Sequence, residues 1–130
     1  MKLRIFALGI LLSAGLPAAA MAAVSAAEFP PRTVRDLLAI CAPAKDDPMR
    51  TAAVSFCTGY VEGAVIVEKA HGMQKNAHPL FCLPTPPPTH HEALVAFTAW
   101  ADAKPARLDQ PAIDGLFTWL AQTYPCAGHM

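Results

Sequence analysis

Four cysteines, Cys41, Cys57, Cys82 and Cys126, constrain this chain more than any other feature of it. What they can do depends on the compartment they meet, and the first residues address that. Lys2 and Arg4 are followed by a run from Ile5 to Leu16 that is almost wholly apolar, and then by the small-residue stretches Ala20-Met21-Ala22 and Val24-Ser25-Ala26. This is the layout of a secretory signal peptide, predicted over residues 1–23 with the cut within 22–27. The apolar run is shorter than the roughly 20 residues that a membrane-spanning helix needs, so the expectation is cleavage and release into an exported, oxidising compartment such as the periplasm.

Without Lys2 and Arg4, ten basic residues become eight against ten acidic ones, a net charge of −2 with histidines neutral. Such a balance offers nothing to nucleic acid or to an anionic membrane. The remaining length fits one domain, predicted over residues 33–126. Exported small domains with an even number of cysteines are usually held by a disulfide framework, and four cysteines permit three pairings.

Helical patterning covers most of that domain, and no strand pattern stands out. Thr33 and Asp36 form the ends of a capping box, and Val34, Leu37, Leu38 and Cys41 share one face of the helix that follows, which Pro43 closes. Asp47-Pro48 reads as an N-cap and first-turn proline opening a longer helix to about His71, with Gly72 as its stop. Phe56, Tyr60, Ala64 and Val67 line one side of that helix, and Cys57, Val61 and Ala64 the adjoining one. A polar connection leads to Phe81-Cys82-Leu83-Pro84, and the prolines between Pro84 and Pro88 exclude helix, leaving a stiff extended strap. Thr89 and Glu92 form a second capping box, launching a third helix up to the break at Pro105. Asp109 is the expected cap of a fourth, in which Ile113, Leu116, Phe117, Leu120 and Tyr124 make an apolar stripe that Pro125 ends, and Ala127 to Met130 are expected to fray. The fold expected is therefore all-α, a small bundle of about four helices stapled by two disulfides.

Helix order selects the pairing. A short connection between the third and fourth helices should make them antiparallel, returning Cys126 to the neighbourhood of Cys82. Cys41 is then left with Cys57, and residues 42–48 are long enough to lay the end of the first helix against the second.

Chemistry-bearing residues are sparse. His90 and His91 are adjacent in a first helical turn and point apart, and no Cys-x-x-Cys pair is present, which disfavours a metal site; no metal and no cofactor are expected. No Gly-x-Ser-x-Gly, His-Glu-x-x-His or phosphate-binding glycine loop occurs. Glu62 and Glu68 lie six residues apart on one helix and cannot face each other as an acid/base pair. The chain reads as a binding protein, with no enzymatic activity expected. Gly59 and Gly63 form a Gly-x-x-x-Gly spacing, read as close helix packing inside the domain, with a soluble homodimer face as the alternative.

Certain of these residues carry a family resemblance. Thr33-Val-Arg-Asp-Leu-Leu38 with Cys41, Cys57-Thr-Gly-Tyr60-Val-Glu-Gly63, Phe81-Cys82-Leu-Pro84, the helix broken at Lys104-Pro105, and Tyr124-Pro-Cys126 resemble the Rap/Tai family of periplasmic immunity proteins. The Pro84–Pro88 strap and Val65-Ile66-Val67 depart from the usual family pattern. The resemblance implies an all-helical, disulfide-bonded protein, often a homodimer, that covers the catalytic groove of a peptidoglycan amidase delivered by type VI secretion. A blocking surface should be exposed and held on a rigid frame. Two stretches qualify: the connection holding His71, Met73, Gln74, Lys75, Asn76 and His78, and the strap leading into His90 and His91. A different class of function also fits a small exported helical protein, a periplasmic stress chaperone or holdase responding to acid through its histidines; an accessory binding protein of the same fold is a further alternative.

Overall fold

The computed structural model describes residues 22–127. The predicted signal peptide lies outside the described residues except for Ala22 and Ala23, as does the tail expected to fray, except for Ala127. Among the described residues the chain forms α1 (Val34–Cys41), α2 (Arg50–Gly72), α3 (His90–Asp102) and α4 (Ala112–Thr123), with short 3₁₀ turns at Ala26–Glu28 and Pro105–Asp109. They contain no strand, only an isolated bridge between Thr33 and Pro111.

The shortest of the four helices is the hub. In α1, Val34, Leu37 and Ile40 are fully buried, and α2, α3, α4 and both 3₁₀ turns pack around it. Thr33 caps it, its hydroxyl accepting from the Asp36 N–H while the Asp36 carboxylate accepts from the Thr33 and Arg32 N–H groups. Its start is clipped to the start of α4 by reciprocal backbone bonds, Val34 N–H to the Gln110 carbonyl and Ala112 N–H to the Arg32 carbonyl, each 2.9 Å. Each bond satisfies a donor that a helix start would otherwise leave unpaired. Gly115 makes the crossing of these two helices possible, because a Cβ there would fall on the Val34 Cγ2 methyl.

Both disulfides form as the helix order predicts, Cys41 to Cys57 with Cα atoms 5.1 Å apart and Cys82 to Cys126 with Cα atoms 4.9 Å apart. The packing expected to produce the second one is different. Phe97 touches Trp119 and Trp100 binds Gln122, so contact advances along α3 and α4 together; the helices cross and are not a lengthwise antiparallel pair. Cys82 instead reaches the end of α4 on the segment that returns from α2, its N–H donating to the Tyr124 carbonyl at 2.8 Å while Phe81 packs on Phe117.

Two predicted caps are replaced. The α2 helix starts at Arg50, with Met49 in the cap position; Asp47 still accepts from the Met49 N–H with Oδ1 and from the Arg50 N–H with its carbonyl, so it makes the turn that leads into the helix while its Oδ2 is held by the Val24 N–H. Its other end includes Gly72, one residue beyond the expected stop, where a Cβ would lie 3.1 Å from that of Pro79. Asp109 does not cap α4; it closes the 3₁₀ turn and pairs with Arg35 at 3.0 Å, and the Arg32 carbonyl serves Ala112 in its stead. Close packing within the domain at Gly59 and Gly63 is also overturned, since a Cβ at either would meet nothing within 4 Å.

Candidate partner-binding trough along α2

The α2 helix is longer than the body it packs on, and this creates the site. It packs chiefly on α1, to which the Cys41–Cys57 disulfide ties it, while α3 is held by α1, α4 and the second 3₁₀ turn. Between α2 and α3 a cavity of about 190 Å³ remains. Val54, Cys57, Thr58 and Val61 of α2 form one wall, Ala93, Leu94 and Phe97 of α3 the other, and Leu37, Leu116 and Trp119 belong to its lining as well. His90 and His91 also line it, and His90 Nε2 meets Glu62 Oε1 at 3.1 Å, linking α3 to α2.

One helical turn further on, the same face of α2 continues. Val65, Glu68, Lys69 and Gly72 border a second, more open cleft of about 530 Å³ whose far wall is the returning segment and strap, Pro79 and Phe81 to Thr85 with Pro87. Glu68 holds that wall in place. It is buried, and its Oε1 accepts from the Leu80 N–H at 2.6 Å, with His71 Nδ1 3.9 Å from its other oxygen. Glu62 and Glu68 thus serve separate contacts and do not form a pair. The positions at 54, 57, 58, 61, 65, 68, 69 and 72 follow the i, i+3, i+4, i+7 repeat of a single helix face, so cavity and cleft lie in succession along one face of α2 and are together called the trough.

Of the two stretches singled out from sequence, His90 and His91 line the cavity, whereas Gln74, Lys75, Asn76 and His78 line neither cavity nor cleft. Gln74, Lys75, Asn76 and His78 are exposed in the turn that ends α2, with Gln74 N–H bonded to the His71 carbonyl and Ala77 N–H to the Gln74 carbonyl. Asn76 adopts φ 65°, the left-handed conformation that asparagine accepts more readily than most residues. His90 and His91 stand in the first turn of α3, set there by the Thr89–Glu92 capping box. Thr89 also determines the state of Glu92, whose carboxyl is held below its ordinary range first by the Thr89 N–H and then by the Thr89 hydroxyl. The structure does not bring the two stretches into one cluster.

Sequence patterning missed most of the apolar part of this surface. Met73, 79% exposed beside the polar turn, was among the residues singled out, but the exposed Leu80 and Val54 were not. The other side of α2 carries a second apolar surface, where Phe56 and Ile66 are exposed, Val67 is 68% exposed, and Gly59 and Gly63 leave a shallow notch. A helix with apolar residues on both sides reads as core, so only the length of α2 relative to α1 could have signalled that half of them stay outside.

Apolar side chains make up most of the lining of the trough. All four cysteines are oxidised, which fits an oxidising compartment, and no group of three metal-ligating side chains converges among the described residues. No helix among them is long and apolar enough to cross a membrane. Comparison with curated proteins and with solved structures finds no match. The sequence profile of the Rap1a immunity proteins matches residues 33–126, a span that takes in both disulfides and the whole trough. On that match, which runs from the cap of α1 to the last cysteine, the chain belongs to the Rap1a immunity proteins.

Proposed function

We propose that the chain is exported to the periplasm, loses residues 1–23, and there binds and blocks a peptidoglycan amidase delivered by a type VI secretion system. The observation that carries this is membership of the immunity family over residues 33–126, the span predicted as the folded domain. Inhibition of this kind needs no catalytic residue. It needs a rigid surface that excludes substrate, and two disulfides reduce the ordering that binding would otherwise require. The trough supplies such a surface, lined by His90 and His91 and by exposed Met73, with Gln74, Lys75, Asn76 and His78 in the turn that follows Met73 and exposed Leu80 between the wall residues Pro79 and Phe81. Apolar anchors ringed by polar groups are the usual layout of the strongly contributing part of a protein interface. The outward face at Phe56, Gly59, Gly63 and Val67 is left for a second copy, giving a homodimer with its two troughs free.

The test pairs the purified chain with the amidase encoded beside it, using calorimetric titration and a peptidoglycan cleavage assay. Tight binding with loss of cleavage is expected. Replacing Gln74, Lys75 and Asn76 by alanine should weaken binding without lowering the melting temperature, and unchanged affinity would remove this turn from the interface. No inhibition of the amidase, together with suppression of aggregation of an unrelated client at low pH, would favour the holdase in its place.

A further inference from the structure

Asp47 is a buried carboxylate that no basic side chain neutralises among the described residues, being 9% exposed and absent from every ion pair there. Its two oxygens are taken by backbone donors, Oδ1 by the Met49 N–H and Oδ2 by the Val24 N–H, both at 2.8 Å. A charge removed from water in this way is expensive unless a countercharge accompanies it. Val24 is itself part of the core, 7% exposed, and the residues after it are ordered by their own capping box, in which Ser25 and Glu28 bond each other's backbone.

Both small-residue stretches in the leader could serve a signal peptidase, and the fold distinguishes them. A cut behind Val24-Ser25-Ala26 would remove a core side chain, remove the Ser25 cap and leave Asp47 Oδ2 without its donor. A cut directly behind Ala20-Met21-Ala22 would leave Ala23 in front of Val24 and the Val24 nitrogen an amide; because Asp47 lacks a countercharge among the described residues, we infer that signal peptidase cuts one bond further on, between Ala23 and Val24, and that Asp47 is the seat of the new amino terminus. This rests on the export reading with loss of residues 1–23 and goes beyond it by naming the acceptor and giving a physical reason for the bond. Hydrolysis adds one water across the amide: the C–N bond breaks, Ala23 keeps the oxygen as a carboxylate, and the Val24 nitrogen takes both hydrogens and becomes an ammonium. That nitrogen is the one 2.8 Å from Asp47 Oδ2, so processing turns an amide hydrogen bond into an ammonium–carboxylate pair. Charge assistance shortens and strengthens such bonds. Asp47 lies between Cys41 and Cys57, so the pair secures the corner that the first disulfide closes.

The test expresses the full chain with its own leader in a Gram-negative host and reads the exported form by intact mass and amino-terminal sequencing. A first residue of Val24 is expected, and any other first residue overturns the assignment. Retention of all 130 residues would fail the export reading as well, whereas export with a start at Ala27 would fail this inference alone. Melting temperatures then test the pair. A chain beginning at Val24 should melt several degrees above one beginning at Ala22, in which the Val24 nitrogen remains an amide, and the difference should vanish in Asp47→Asn. Equal melting of the two lengths in the unsubstituted protein would overturn the seat.

Discussion

Single side chains decide how closely the helices approach and how the fold answers acid. Gly115 stands where a methyl group would overlap Val34, a fully buried residue of α1. Gly115→Ala should therefore destabilise the chain by about 1–3 kcal/mol through overpacking, against the usual benefit of alanine in a helix, as urea denaturation will measure. The capping carboxylates act through protonation. Glu92 and Glu28 are held below their ordinary value of 4.5, Glu92 by the Thr89 N–H first and Glu28 by the Ser25 hydroxyl first. Burial pushes Asp36 upward, yet the Thr33 and Arg32 N–H groups and the Thr33 hydroxyl outweigh it and leave it below 3.8. Groups depressed in this way leave the folded state with fewer bound protons than the unfolded chain, so their contribution is intact above about pH 4.5 and is lost as pH falls through the folded values. Thr89→Ala should raise the Glu92 pKa toward its ordinary value in an NMR titration and make the loss of stability below pH 4.5 shallower.

At the scale of elements, α2 separates what was legible in the sequence from what was not. The starts of α1 and α3 were readable because their caps are local: Thr33 with Asp36 and Thr89 with Glu92 find each other three residues apart whatever the rest of the chain does. The start of α2 was legible only in part: Asp47 does accept from the Met49 N–H two residues on, but its other oxygen is held by Val24, 23 residues away, and the regular helix begins at Arg50. The orientation of α2 was not legible, since Phe56, Ile66 and Val67 are as apolar as Cys57, Val61 and Ala64, and only the arrangement of α1 shows which set stays outside. Of the candidate site, the polar turn and the two histidines were visible as composition; the trough was not, because it exists only where α2 and α3 stand apart, bridged by His90 and Glu62. The glycine notch gives this a test. With nothing beside their Cα atoms, Gly59→Ala and Gly63→Ala should each stabilise the isolated chain by about 0.5–1 kcal/mol from helix propensity alone, measured by thermal unfolding at low concentration. Gly63→Leu should fold equally well yet shift the proposed homodimer to monomer in analytical ultracentrifugation.

For the molecule as a whole, the balance of stability rests on two covalent loops around a modest core. Chain-entropy arguments assign about 3 kcal/mol to the loop closed by Cys41–Cys57 and about 4 kcal/mol to the longer one closed by Cys82–Cys126. Out of a usual total of about 5–15 kcal/mol these are large shares. Replacing Cys82 and Cys126 together by serine should accordingly lower the urea midpoint more than replacing Cys41 and Cys57, with the second pair verified intact by mass. The pairing read from helix order is the one that forms, but not for the reason given by that order: Cys82 meets the end of α4 through its own N–H on the Tyr124 carbonyl and not through an antiparallel α3. The two loops are also consecutive along the chain and do not interlace, the first closing at residue 57 and the second opening at residue 82. A polypeptide threading through a membrane amino end first would present Cys57 to Cys41 before either of the other thiols arrived. Joining each cysteine to the nearest one already across gives the native bonds in order of appearance, so an oxidase alone suffices and loss of a disulfide isomerase should leave the yield of exported protein unchanged.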